Sequence, residues 1–214
     1  MSLIRFENVA VQFKRKLLFE KLNFDVRKGE KLLVYGRSGE GKTTIIRLLL
    51  GFECPREGKI FFEDQLLDRK TVWDVRRKIA YVSQNLDIGA GKVIKLIDRV
   101  LDYRANEGIT HAEKELSSLL EFLRLKESIL QEDFEKLSGG EKQRILIIIA
   151  LLLKRSVFLL DEVTSALDSE LKEKVSDYFV KKDDWTVIVI SHDKDWLQRP
   201  ELKVINLDKI NGRT

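Results

Sequence analysis

Short apolar runs in this 214-residue chain stop on glycine or on polar pairs. Residues 32–35 end at Gly36, 79–82 at Ser83-Gln84, 157–160 at Asp161-Glu162, and 186–190 at Ser191-His192. Brief, uninterrupted apolar runs are the pattern of strands buried on both faces. In a doubly wound parallel sheet, ligands bind just outside the carboxyl ends of the strands. Four segments remote in sequence are therefore expected to converge on one crevice.

The rest of the chain fits around such a sheet. Val9, Val11 and Phe13 alternate with polar or small residues, as in a half-buried strand. Arg27-Lys28-Gly29-Glu30 makes a turn, and 58–67 reads as a hairpin reversing near Glu63-Asp64-Gln65. Residues 44–50 read as a helix closed by Gly51. Between 87 and 135 the pattern changes to helical periodicity with charged faces, which predicts an inserted helical lobe. Gly89-Ala90-Gly91-Lys92 echoes a phosphate loop but lacks its spacing and preceding strand, so it reads as the joint of that lobe. Trp73, Trp185 and Trp196 are isolated and are expected to serve packing.

Composition excludes several classes. The 39 Lys+Arg and 35 Asp+Glu are interleaved and leave a net charge of only +4, with no basic footprint for nucleic acid. One cysteine, Cys54, rules out an internal disulfide framework and suits a reducing compartment. Met1 to Glu7 lack the pattern of an export signal. The longest apolar run, 145–153, is far short of the ~20 residues that span a bilayer and reads as a buried core helix. A membrane role is thus expected to come through a partner.

Gly36-Arg37-Ser38-Gly39-Glu40-Gly41-Lys42-Thr43 satisfies G-x-x-x-x-G-K-[ST] in full, between an apolar strand and a helix. Glycines let the backbone wrap phosphate oxygens, and the helix N-terminus points its N–H groups at them. Lys42 is expected to hold the β- and γ-phosphates and Thr43 to ligate Mg²⁺. Asp161 suits the Mg²⁺ shell, and Glu162 is placed to orient and polarise an attacking water. Ser138 is a natural N-cap, followed by Gly139 and Gly140, which permit close backbone approach to an anion. Taken alone, those three residues are better read as an ordinary helix start with flexible glycines.

Together these residues resemble the ABC ATPase family over essentially the whole chain. The loop at Gly36 looks like its Walker A, 157–162 like its Walker B, and Leu137-Ser138-Gly139-Gly140-Glu141 like its signature, with Glu141 where many members have Gln. Gln84 resembles the Q-loop glutamine, Ser165-Ala166-Leu167-Asp168 the D-loop, and His192 the switch histidine. The resemblance implies an α/β fold: a P-loop NTPase core with a mostly parallel sheet, an N-terminal antiparallel β-subdomain, and a helical subdomain inserted at about 87–135 of one domain, 1–214. It implies ATP held by Phe13 and by the loop through Thr44, with Mg²⁺ held by Thr43, Gln84 and Asp161. Ser138, Gly139, Gly140 and Glu141 would act in trans on ATP bound by a second copy in a head-to-tail homodimer. Lys42, Gln84, Glu162 and His192 are its expected catalytic group. Arg15 or Lys16 is a weaker candidate for phosphate, and His111 has no assigned role.

The function so implied is the ATP-hydrolysing subunit of a transporter, peripheral on the cytoplasmic face and acting on separate transmembrane permease subunits. Residues 137–144, 161–168 and 192–195 look similar to small cassettes of metal (iron) export. The runner-up is a soluble scaffold-assembly ATPase of the same family, disfavoured by Ser165-Ala166-Leu167-Asp168. Long coiled-coil repair ATPases are excluded because 36–138 holds no sustained heptads. A P-loop kinase leaves 137–141 and His192 unexplained.

Overall fold

The computed structural model describes residues 2–13, 16–110 and 113–210. Along the chain run β1 (Ser2–Phe13), β2 (Lys16–Arg27), β3 (Lys31–Tyr35), α1 (Lys42–Leu49), β4 (Glu57–Phe62), β5 (Gln65–Leu66), α2 (Val72–Lys78) and β6 (Ile79–Val82). There follow α3 (Val93–Leu101), α4 (Glu113–Phe122), α5 (Gly139–Leu152), β7 (Val157–Asp161), α6 (Ser169–Val180), β8 (Thr186–Ser191), β9 (Leu202–Asn206) and α7 (Leu207–Ile210).

A parallel sheet of order β6-β7-β8-β3-β9 carries the four apolar runs side by side. Their side chains alternate between two cores, because successive residues of a strand point to opposite faces. Leu33, Ala80, Val82, Phe158, Leu160, Val187 and Val189 pack against α3, α4 and α5. Leu32, Val34, Ile79, Val157, Leu159, Ile188 and Ile190 pack against α1 and a second sheet. That second sheet, β2-β1-β4-β5, is antiparallel. Both faces of the parallel sheet are thus covered, which is why its strands are apolar without alternation.

The long apolar run lies in α5, whose residues from Ile145 to Leu152 are all buried. A helix apolar all round belongs in the interior. Around the glycine-rich joint the chain crosses itself: Gly91 N–H donates to Glu135 Oε2 at 3.0 Å, Phe134 N–H to Gly91 O at 2.9 Å, and Lys92 bridges Asp133. Trp196 is buried, Trp185 packs in an aromatic cluster with Phe158, Tyr178 and Phe179, and Trp73 is exposed.

Three elements go beyond the sequence reading. In β2, Leu22, Phe24 and Val26 alternate with polar residues, but the adjacent Leu17, Leu18 and Phe19 break that pattern where register shifts fall, and the sequence reading does not mark this strand. Strand β9 is an edge strand with exposed Lys203 and Val204, and α7 is a single short turn. Helix α1 also starts two residues before the expected Thr44, at Lys42.

Candidate active site

The carboxyl ends of β3, β6, β7 and β8 open into a cavity of about 920 Å³. Gly36, Arg37, Ser38, Gly39, Gly41, Lys42, Thr43 and Thr44 form its floor, and Gln84, Asp161, Glu162 and His192 its wall. Those four wall residues come from three strand ends of the sheet, as the sequence pattern requires. Glu40 is buried in the same loop.

Gly39 and Gly41 have φ of +81° and +91°, a region costly for residues with a Cβ. At Gly41 a Cβ would also stand 2.7 Å from Phe19 Cζ, so Phe19 of β2 props the loop from below. Gly41 is the N-cap of α1 and offers no side-chain cap, which leaves the first N–H groups of the helix available to an anion. Lys42 is 7% exposed and folds back on its own loop, with Nζ donating to Gly36 O at 2.7 Å and Arg37 O at 3.0 Å.

Asp161, 1% exposed, accepts weak hydrogen bonds of 3.4 Å from Thr43 Oγ1 and from the Tyr81 hydroxyl. Burial pushes its carboxyl up to about 6; the Thr43 bond opposes this, the nearby Glu162 charge adds to it, and Tyr81 and Lys42 oppose it. Burial, and then the charge of Asp161, raises the Tyr81 phenol. The oxygens of Asp161, Thr43 and Gln84 are the hard donors Mg²⁺ takes, and among the described residues no cluster of His, Cys, Asp and Glu would hold a metal alone. Such a set fits an ion whose remaining ligands are phosphate oxygens and water.

The strain at Asp161 is measurable without nucleotide. An unfolded aspartate binds its proton below about pH 4, the folded Asp161 below about 6. Between those values the fold holds the extra proton, so stability falls as pH rises through the window, by on the order of 2 kcal/mol. Asp161→Asn is therefore expected to raise the melting temperature of the nucleotide-free protein near pH 7.5 and to lose that advantage toward pH 4. Equal differences at both pH values would refute the assignment.

Glu162 is 6% exposed and has a left-handed backbone, φ +53°. Its N–H donates to Ile190 O at 2.9 Å, which aims the side chain across the end of β8. There Oε1 lies 2.7 Å from His192 Nδ1 and Oε2 accepts from Ser191 Oγ at 3.3 Å. An ionised carboxylate only accepts, so Nδ1 carries the proton and Nε2 is left for another partner.

Among the described residues, one chain brings the phosphate loop, Gln84, Asp161, Glu162 and His192 together, and leaves two predicted segments outside the cavity. Ser138 and Gly139 are exposed, and Ser138 caps α5 in a closed box: its hydroxyl and N–H donate to Glu141 Oε2 at 2.6 and 2.9 Å, and Glu141 N–H returns to Ser138 Oγ at 3.3 Å. In the D-loop, Ser165, Ala166 and Asp168 are exposed and Leu167 half-buried, with Asp168 capping α6. Phe13 ends β1, but its side chain, that of Lys16, and all of Arg15 and His111 lie outside the described residues. Sequence reasoning missed Val11 and Leu18, which give the cavity an apolar rim from β1 and β2, and Asp208 of α7, whose Oδ1 accepts Arg37 N–H at 3.2 Å. Val11 reads in the sequence only as a residue of a half-buried strand, Leu18 falls in the part of β2 without alternation, and no motif marks Asp208.

Comparisons with known proteins show the family of this chain. A family described as ABC transporter matches residues 19–165. The zinc import ATP-binding protein ZnuC of Rickettsia bellii is 35% identical over 195 residues, 89% of this chain and 76% of that protein. The energy-coupling factor transporter ATP-binding protein EcfA1 of Listeria monocytogenes is 33% identical over 204 residues, 91% of this chain and 71% of that protein. Among solved structures, an ATP-binding cassette dimer in a post-hydrolysis state with ADP and Pi superposes with a TM-score of 0.76 at 26% identity, over 90% of this chain and 89% of that one. A bacterial Atm1-family ABC exporter with ATP bound gives 0.80 at 26% identity; 95% of this chain corresponds to 37% of the exporter's.

Proposed function

This chain belongs to the ABC transporter family as an ATP-binding cassette, and from that premise we propose that it works as a head-to-tail homodimer driving separate membrane subunits. That it is an ATPase follows from its family and from its likeness to a cassette caught after hydrolysis. The observation that carries the dimer is the incomplete cavity: one chain supplies the phosphate loop, Asp161, Glu162, Gln84 and His192, while Ser138 and Gly140 stand outside it. A second copy facing the first would close each cavity with the exposed start of α5.

In this reading the N–H groups of α1 and Lys42 bind the phosphates, and Thr43, Asp161 and Gln84 hold Mg²⁺. Held there, Mg²⁺ would supply positive charge that offsets the charge of the phosphates. Glu162 orients the attacking water and accepts its proton, and His192 Nε2 contacts the γ-phosphate while Nδ1 stays on Glu162. Phe13, which ends β1, is assigned to the adenine ring, and Val11 and Leu18 give the cavity its apolar rim. Loss of the γ-phosphate removes contacts made by both chains, which is the difference in affinity that reopening needs.

Among the described residues no helix is long and apolar enough to cross a membrane; this reading assigns the passage itself to separate permease subunits, with the cassette docked on their cytoplasmic face. The relatives' names point to zinc import and to energy-coupling factor transport. The stretches that resemble iron-export cassettes belong to the shared hydrolytic machinery, so the cargo is assigned to the membrane subunits rather than to this chain.

Because Ser138 must come from another copy, ATPase activity per chain is expected to rise steeply with protein concentration and then level off. Activity per chain that stays constant on dilution would sink the dimer reading.

A further inference from the structure

The amide of Gln143 joins two parts of the chain that the proposed dimer would use at different nucleotides. It lies in the first turns of α5, is 1% exposed, and has both ends engaged. Nε2 donates to Glu162 O at 3.0 Å, and Oε1 accepts Ala166 N–H at 3.2 Å. One turn earlier Gly140 meets the same segment: a Cβ there would stand 2.8 Å from Ala166 O. The turn from Glu162 to Ala166 is thus laid against the start of α5, with no room for a side chain at Gly140.

That turn is held on its other side as well. The Trp196 indole N–H donates to Thr164 Oγ1 at 3.2 Å, and both residues are buried. Beyond the D-loop, Lys172 of α6 pairs with Asp193, next to His192, and with Asp195 at 3.0 Å. A left-handed Glu162 costs on the order of 1 kcal/mol, so the turn persists because its surroundings hold it. A change at the Glu162 carboxylate has few ways to relax except through these ties.

We propose that Gln143 is a positioning residue that couples the two ATP sites of the dimer. It touches no substrate. It links Glu162, which acts on the ATP of its own chain, to the helix whose N-cap, Ser138, closes over the ATP of the partner. The inference rests on the head-to-tail reading above and adds a route by which one site senses the other. A simpler role for a buried amide, filling the hydrogen bonds of two backbone groups, predicts lost stability but no lost coupling.

Mixing experiments separate the two. Chains with intact Glu162 are mixed with Glu162→Gln chains at fixed total concentration, and ATPase activity is read against the fraction intact. Coupled sites need both chains competent, so activity follows the square of that fraction; independent sites give a straight line. The wild-type background is expected to give the square, and Gln143→Met in every chain to give the line. Gln143→Glu, which can still accept from Ala166 N–H but cannot donate to Glu162 O, should also give the line. ATP binding to the dilute single chain should change less than about twofold in either variant.

Curves of the same shape with and without the Gln143 changes overturn the coupling role. So does loss of all hydrolysis in both variants with ATP-driven dimerisation intact, which would place Gln143 in the machinery of its own site. A straight line for the wild-type background, with activity still dependent on concentration, removes the coupling and keeps the dimer. Activity independent of concentration removes the dimer itself.

Discussion

Glu162→Gln should cut ATP turnover by roughly 10²-fold or more and leave ATP binding close to that of the parent chain. The replacement is nearly isosteric, and its amide oxygen can still accept from Ser191 Oγ or from His192 Nδ1–H, the two neighbours of the carboxylate. The fold around it should persist, since the backbone bonds to Ile190 and Gln143 do not involve the side chain. What disappears is a group able to take a proton from the attacking water. A 10²-fold loss corresponds to about 2.7 kcal/mol of barrier. With hydrolysis blocked, ATP and Mg²⁺ should convert the chain to a stable dimer in size-exclusion chromatography, and ADP should not. Near-normal turnover would show that another group is the base. A blocked enzyme that stays monomeric with ATP at every concentration would remove the second copy from the mechanism.

How far the sequence announced all this depends on the physics behind each residue. Strands β3, β6, β7 and β8 were legible because burial on both faces imposes uninterrupted apolar runs, and their polar ends marked the crevice where Gln84, Asp161, Glu162 and His192 meet. Gly36 to Thr43 were legible because a backbone wrapped on phosphate tolerates few residue types. The contact between Glu162 and His192 was not, since parallel register, not spacing along the chain, brings the ends of β7 and β8 together. Phe19 beneath Gly41 and Asp208 on Arg37 N–H are side-chain contacts across 22 and 171 residues, and no local pattern encodes either. In the sequence Gln143 is one polar residue among several just after the paired glycines, and no pattern singles it out. Only the fold of 162–166 back onto α5 shows its amide bonded at both ends.

Lys42→Met is expected to remove ATP binding almost completely. The Lys42 ammonium donates to Gly36 O and Arg37 O within the loop that floors the cavity. Arriving phosphates offer it stronger acceptors, because hydrogen bonds between two ionised partners exceed those to a neutral carbonyl. Each bond to a charged group is worth about 1.5–3 kcal/mol, and two of them set a loss of affinity of roughly 10²-fold or more. Met keeps the length and apolar bulk of the side chain, so the packing of α1 should survive, with a modest fall in melting temperature from two carbonyls left without their donor. The contrast is best read by thermal denaturation with and without ATP. At a concentration 100 times its dissociation constant, ATP stabilises the parent by about 2.7 kcal/mol. At that same concentration the variant, binding 10²-fold more weakly, should gain only about 0.4 kcal/mol. An ATP-induced shift equal to the parent's would mean that the N–H groups of α1 hold the phosphates without Lys42.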